Sequence, residues 1–284
     1  MKNASLARKS SPDQRTVISL TDTVTVGGDT LLIVGGPCAV ESADQMDLVA
    51  RQLAHTPVQA LRGGVFKPRT SPYAFQGLGE AGLHILDDIR HRFQMPVISE
   101  VMAMNQIEMM AAHVDVLQVG SRNMQNFDLL KALGQVHRPV LLKRGLAATL
   151  EEFVMAAEYV LSHGNPNVIL CERGIRSFDT YTRNVLDLGA VVALKQITHL
   201  PVMVDPSHAT GKRELVPDLA RAAIAAGADG LMIECHPVPD QSVSDARQAL
   251  TLEDMAALAH SLGPMATVLG RRLQDHPAIA LTPA

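Results

Sequence analysis

The sequence predicts an α/β protein, a (β/α)8 TIM barrel with a short N-terminal hairpin extension. Eight short apolar runs recur along the chain, helix-type segments lie between them, and 284 residues suit one such domain, which needs about 250 residues. The runs begin at Leu31, Ala60, Pro96, Val116, Pro139, Val168, Pro201 and Gly230. None shows clean polar alternation, as expected of parallel strands covered on both faces. Apolar residues make up 47% of the chain, aromatics 3%, and Trp is absent, so the core is built from Val, Ile, Leu, Ala and Met. An open doubly wound sheet is the alternative, but its GxGxxG signature after the first strand is missing.

Residues 1–30 read as an extension. Within it, VISLTDTVTVGGDT (17–30) carries Gly27-Gly28 between β-branched residues, the pattern of a hairpin that caps the bottom of a barrel. The barrel then spans 31–270, with a tail over 271–284. After the first strand, LLIVGG, comes the helical stretch DQMDLVARQLA (44–54). NQIEMMAAH (105–113) follows the third strand, and TLEEFVMAAEYVLS (149–162) the fifth. In the last of these, Thr149 and Glu152 form the pattern of a capping box, which satisfies free amides at a helix start.

Charge and cysteine usage exclude some classes. The net charge is −4, so no global basic field draws nucleic acid. No run approaches the roughly 20 apolar residues of a membrane span, and the N-terminus MKNASLARKSSPDQ lacks an apolar signal core. Cys38, Cys171 and Cys235 are odd in number and widely spaced, which argues against a disulfide scaffold and for a reducing cytoplasm.

In this fold, chemistry sits at the C-terminal ends of the strands. There the sequence places Cys38 after strand one, Arg62 and Lys67 after strand two, Glu100 after strand three and Arg122 after strand four. Strand five carries Lys143 and Arg144, and strand six ends at Glu172 and Arg173 with Arg176 behind. Strand seven ends at Asp205, Ser207 and His208, and strand eight at Glu234, Cys235 and His236. So many cations on one rim of an acidic protein suit phosphorylated ligands, because guanidinium forks and ammonium groups match phosphate and carboxylate oxygens. Taken singly, Cys38 reads as a small buried apolar residue and His208 as a structural histidine. Together with Glu234 they come from strands one, seven and eight, adjacent in a closed barrel. That donor set suits a divalent transition metal, with Asp240 or Asp245 as a fourth ligand. Cys171 is expected under the helices, opposite Glu172, and Cys235 away from Glu234. The remaining histidines, among them His113, His199 and His276, read as surface.

Several segments closely resemble one family. They are GPCAVES (36–42), LRGGVFKPRTSPYAFQGLG (61–79), GSRNMQNF (120–127), LLKRG (141–145), LCERGIR (170–176), DPSHATG (205–211) and IECHP (233–237). They resemble the 3-deoxy-D-arabino-heptulosonate 7-phosphate (DAHP) synthases, in the subgroup related to 3-deoxy-D-manno-octulosonate 8-phosphate (KDO 8-phosphate) synthase, over residues 31–262. The resemblance implies condensation of phosphoenolpyruvate with erythrose 4-phosphate, the first step of the shikimate pathway. KDO 8-phosphate synthesis from arabinose 5-phosphate, or a role in secondary metabolism, is the alternative.

It further implies a Mn, Fe, Co or Zn site at Cys38, His208, Glu234 and Asp245, since SVSDARQAL matches the family's Asp-containing stretch. Phosphoenolpyruvate is expected at Arg62, Lys67, Arg122, Lys143 and Arg173, and the aldose phosphate at Arg69, Thr70 and Ser71. Lys67 is expected to serve the reacting carbonyl, and Glu100 or a metal-bound water to act as base. The KPRTS segment favours the heptulosonate enzyme, because the octulosonate enzymes usually carry an Asn-Arg-Ser variant there. Several relatives carry a regulatory domain. The thirty residues before the first strand are fewer than an independent domain needs, so little direct inhibition by aromatic amino acids is expected. A homo-oligomer, dimer or tetramer, completes the expectation, with no nucleic-acid or membrane partner.

Overall fold

The computed structural model describes residues 4–68 and 71–273. An antiparallel pair, β1 (Ile18–Ser19) and β2 (Thr25–Val26), precedes the barrel. The barrel strands are β3 (Thr30–Gly36), β4 (Ala60–Arg62), β5 (Val97–Glu100), β6 (Val116–Val119), β7 (Val140–Lys143), β8 (Val168–Glu172), β9 (Val202–Val204) and β10 (Gly230–Glu234). Each pairs in parallel with the next, and β10 closes on β3 from Gly230↔Leu32 to Glu234↔Gly36. The predicted barrel is therefore the observed one.

Two apolar layers hold it. Inside, Leu32, Val34, Ala60, Ile98, Val116, Leu141, Ile169, Met203 and Met232 pack against one another. Ile18, Leu20, Val24 and Val26 join that cluster, so the hairpin plugs the bottom of the barrel. Its turn lies at Leu20–Val24, where Leu20 N–H donates to the Val24 carbonyl at 2.8 Å. Gly27-Gly28, expected to turn the hairpin, instead turn the chain from β2 into β3, both at positive φ. The turn itself, Thr21-Asp22-Thr23, carries no glycine, so glycine content pointed to the second of two successive turns.

Outside the sheet runs a ring of α-helices. They are α1 (Ala43–Leu53), α2 (Glu80–Phe93), α3 (Ile107–His113), α4 (Phe127–Leu133), α5 (Leu150–Ser162), α6 (Leu188–Ile197), α7 (Pro206–Thr210), α8 (Val216–Ala225) and α9 (Leu252–Val268). In α1 the buried stripe is Met46, Val49, Ala50 and Leu53, the spacing of one helix face. Ser42 caps α1, and Thr149 with Glu152 forms the expected capping box on α5. None of these helices is long and apolar enough to cross a membrane.

The ends are tied to this frame. Buried Glu158 of α5 accepts the N–H groups of Leu6 (2.9 Å) and Ala7 (2.8 Å). His199, expected at the surface, is half-buried: Nε2 meets the Leu6 carbonyl at 2.6 Å and Nδ1 the Thr16 hydroxyl at 2.7 Å. His113 is half-buried too. Of the expected tail, β11 (Arg272–Leu273) pairs in parallel with Thr30–Leu31. His276 lies outside the described residues.

Alternation along β8 differs from expectation. Ile169 and Cys171 face the barrel interior, while Leu170 belongs to the outer layer. Cys171 is therefore inside the barrel, not beneath the helices. Glu172 points outward, where Arg144 donates to it at 2.9 Å and the Gly174 amide at 2.7 Å. A charge at a strand end does not by itself mark the inward face, because an outward cation can satisfy it. Cys235 does lie in the outer layer, as expected.

Candidate active site and metal centre

A cavity of 470 Å³ opens at the C-terminal end of the strands. Alternation from the inner layer carries Arg62, Glu100, Gln118 and Lys143 into it, since each lies two residues beyond Ala60, Ile98, Val116 or Leu141. Lys67, Arg122 and Arg173 reach it from the segments after β4, β6 and β8, and His208 from α7. Two glycines make room. Gly36 has φ +139, and a Cβ there would stand 2.3 Å from the Arg62 carbonyl. A Cβ on Gly120 would stand 2.0 Å from Glu100 Oε1.

At the cavity's edge, Cys38, His208, Glu234 and Asp245 present donor atoms that all lie within 4.8 Å of one another. Cys38 Sγ is 3.0 Å from Asp245 Oδ2, and His208 Nε2 is 3.1 Å from Glu234 Oε1. A thiol, an imidazole and two carboxylates converging at one point are a donor set suited to a transition metal. Asp240, the other candidate, is exposed and pairs with Arg213 at 2.7 Å, so it is not part of the cluster.

The surrounding charges are ordered. Arg62 donates to Glu234 at 2.5 Å, and Gln248 donates to the other carboxylate oxygen at 2.6 Å. Lys67 Nζ donates to Cys38 Sγ and to the Cys38 carbonyl, both at 2.9 Å. Arg183 holds Asp245 Oδ1 at 3.2 Å. Asp205, wholly buried, accepts from His208 Nδ1 at 2.7 Å and from Lys143. Burial would push the His208 imidazole down, but the Asp205 and Glu234 carboxylates outweigh it and hold it up, at about 10. Burial likewise opposes ionisation of Glu234 and Asp205, yet His208 with Arg62 and His208 with Lys143 keep them well below the usual carboxylate range. Asp245 is lowered against burial and the Glu234 charge, by His208, Cys38 and Arg183.

Other cations are left for a ligand. Arg122, Arg173 and Arg176 line the cavity and form no ion pair among the described residues. Burial lowers the Arg173 guanidinium, whose hydrogen bond is a 3.4 Å contact to the Gly174 carbonyl. Arg144, next to Lys143, turns away from the cavity toward Glu172 and Asp187. Of the residues expected at the aldose phosphate, Arg69 and Thr70 lie outside the described residues. Ser71 is exposed, its hydroxyl accepts the Tyr73 amide at 3.3 Å, and it does not line the cavity.

Sequence reasoning gave no role to Gln118, Arg183, Asn184 or Gln248, and named Asp205 and Arg176 only as neighbours of strand ends. Gln118 carried a usable signal: a polar residue interrupting the apolar run of β6 at the depth of Arg62 and Glu100.

The fold and the cavity define a class: a (β/α)8-barrel enzyme whose mouth gathers cations beside a potential metal centre. A model of the family described as DAHP synthetase I matches residues 15–270. The chain belongs to that family. A Thermotoga maritima protein described as phospho-2-dehydro-3-deoxyheptonate aldolase is 46% identical over 255 residues, 90% of this chain and 75% of its own length. The crystal structure of the Thermotoga maritima phospho-2-dehydro-3-deoxyheptonate aldolase (DAHP synthase) superposes with a TM-score of 0.88 at 45% identity, over 91% of this chain and 76% of that one. A 2-dehydro-3-deoxyphosphooctonate aldolase of Syntrophotalea carbinolica is 34% identical over 251 residues, 82% of this chain and 90% of its own.

Proposed function

We propose that this chain is a cytoplasmic, metal-dependent DAHP synthase, condensing phosphoenolpyruvate with erythrose 4-phosphate at the mouth of its barrel. The observation that carries the reading is a cavity in which Arg122, Arg173 and Arg176, without ion pairs among the described residues, stand with a Cys-His-Glu-Asp cluster. A Mn, Fe, Co or Zn ion held by Cys38, His208, Glu234 and Asp245 supplies Lewis acidity toward the aldehyde oxygen.

The chain's own groups do the rest. Arg62, Lys67, Arg122, Lys143 and Arg173 bind the phosphate and carboxylate of phosphoenolpyruvate, and Arg69 and Thr70 bind the sugar phosphate. Neutralising both anions lets C3 of the enol phosphate approach the aldehyde carbon. Such positioning supplies several kcal/mol, with about 7–11 the ceiling. As the C–C bond forms, Lys67 gives a proton to the aldehyde oxygen. Water adds at C2, Glu100 takes its proton, and the C2–O bond to phosphate breaks to leave the ketone and inorganic phosphate. A dimer or tetramer is the proposed assembly.

The test is phosphate release from phosphoenolpyruvate with a panel of aldose phosphates, with and without EDTA. Erythrose 4-phosphate is expected to give a kcat/KM far above that of arabinose 5-phosphate, because a chain one carbon longer misplaces the aldehyde when both ends are fixed. Equal turnover of arabinose 5-phosphate replaces the assignment by the octulosonate reaction named in the Syntrophotalea relative. Full activity after chelation removes the metal from the reading.

A further inference from the structure

Asp205 stands where the two halves of the cavity meet. It follows β9 and is wholly buried. Its Oδ1 accepts the His208 backbone N–H at 2.9 Å. Its Oδ2 accepts two donors at once: the Lys143 ammonium and the His208 imidazole, the latter 2.7 Å away at Nδ1. His208 turns its other nitrogen into the donor cluster, and Lys143 lines the anion cavity. One carboxylate oxygen thus joins a cation that faces an anionic ligand to the imidazole that faces a metal.

We infer that Asp205 is a positioning residue that couples the two ligands, so that an anion engaging Lys143 tightens the metal at His208 and the reverse. The inference rests on the proposed roles of His208 and Lys143. A hydrogen bond from a metal-bound imidazole to a carboxylate makes the imidazole a better donor to the metal. In the free protein Lys143 competes for the same oxygen. An anion that draws the ammonium forward leaves that oxygen to Nδ1–H, and Nε2 becomes the stronger ligand. Conversely, a metal on Nε2 polarises Nδ1–H, draws the carboxylate charge toward it and frees Lys143 for the anion. Linkage requires the two effects to be equal in free energy.

Direct attraction between metal and anion has the same sign, so a double-mutant cycle is needed to isolate the path through Asp205. The metal-free full-length chain is titrated with Co2+, and affinity is read from the absorption of the Cys38 thiolate–cobalt bond. Lys143→Met is expected to tighten Co2+ about fivefold or more in the chain with Asp205, and by less than about twofold in the Asp205→Asn background. An unchanged or weaker affinity in Lys143→Met, or an equal gain in both backgrounds, overturns the inference. A second measurement does not depend on the folding of the Asp205→Asn chain. In the Zn2+-loaded wild type, the imidazole N–H resonance of His208 is expected to move downfield on adding phosphoenolpyruvate, and a stationary resonance overturns the inference. Failure of the unsubstituted chain to bind Co2+ or phosphoenolpyruvate is a different result: it defeats the proposed function, and the coupling with it.

Discussion

Glu100 occupies space that only a glycine opposite leaves free. Gly120 has φ −68 and ψ 158, a conformation open to any residue, so the clash of an added Cβ with Glu100 Oε1 is its only special demand. The clashing atom is the end of a side chain that can turn. Gly120→Ala should therefore change stability by no more than about 1 kcal/mol, while displacing the proposed base, whose positioned contribution is about 10²–10⁴ in rate. A fall in kcat of at least about tenfold with an unchanged melting temperature is expected, and an unchanged kcat removes Glu100 from the mechanism. Cys38→Ala makes a second expectation: the barrel folds without its sulfur, so metal content measured by elemental analysis falls while far-ultraviolet circular dichroism stays the same. Stoichiometric metal in that variant would count against the donor set. At this scale the sequence was most informative where charge meets a strand end, as at Arg62, Lys143, His208 and Glu234. Asp205 was visible as a charge, but the oxygen it divides between Lys143 and His208 depends on the closeness of β7 and β9 ends across β8, which no local pattern records. Cys171 was turned the wrong way because the side of a strand follows from its inner-layer neighbours, here Ile169, and not from its terminal charge.

Elements were legible where each has a local cause. Apolar runs without alternation marked the barrel strands to within a few residues, and the Thr149–Glu152 box marked the start of α5. The five-residue α7 was not, because it is held by Asp205 at its N-cap and Pro206 at its first position within a stretch read for chemistry. The hairpin was recognised, but its turn was misplaced. Its function as a plug yields a stability test independent of the active site. Ile18 is 1% exposed and packs among the inner-layer residues, so Ile18→Ala leaves a cavity at the barrel floor. Such truncations cost about 2–5 kcal/mol, and chemical denaturation should show it. Because the hairpin lies at the end away from the cavity, kcat and both KM values should stay within about twofold of the unsubstituted enzyme, within the range expected for distant, independent sites. A large change in KM would mean that the floor shapes the mouth.

For the whole molecule, closing the barrel forces several ionised side chains into one buried place, and the proton on His208 becomes part of the energetics of folding. In the metal-free protein its imidazole is held at about 10 by Asp205 and Glu234 against burial and the Lys143 charge, compared with about 6.5 in an unfolded chain. A raised folded value means that this group's stabilisation is fully present below pH 6.5 and is lost as pH rises toward 10. Asp205 and Glu234 remain ionised through that window, because both are held well below the usual carboxylate range. A metal on Nε2 needs the same site without its proton, so metal binding must displace the proton at neutral pH and grows stronger as pH rises. The two effects share a sign in the difference between loaded and chelated protein. Melting temperatures measured with excess Mn2+ and with EDTA should therefore separate progressively from pH 6.5 to 8.5, inside the window bounded by about 10. Apparent metal affinity should rise by up to about tenfold per pH unit for the proton leaving His208. The Asp205→Asn chain, with one of the two carboxylates that raise the imidazole made neutral, should show a shallower slope. A gap in melting temperature that is flat or narrows with rising pH would mean that the imidazole is already neutral before the metal arrives, and that the Asp205–His208–Glu234 chain does not carry the charge its geometry requires.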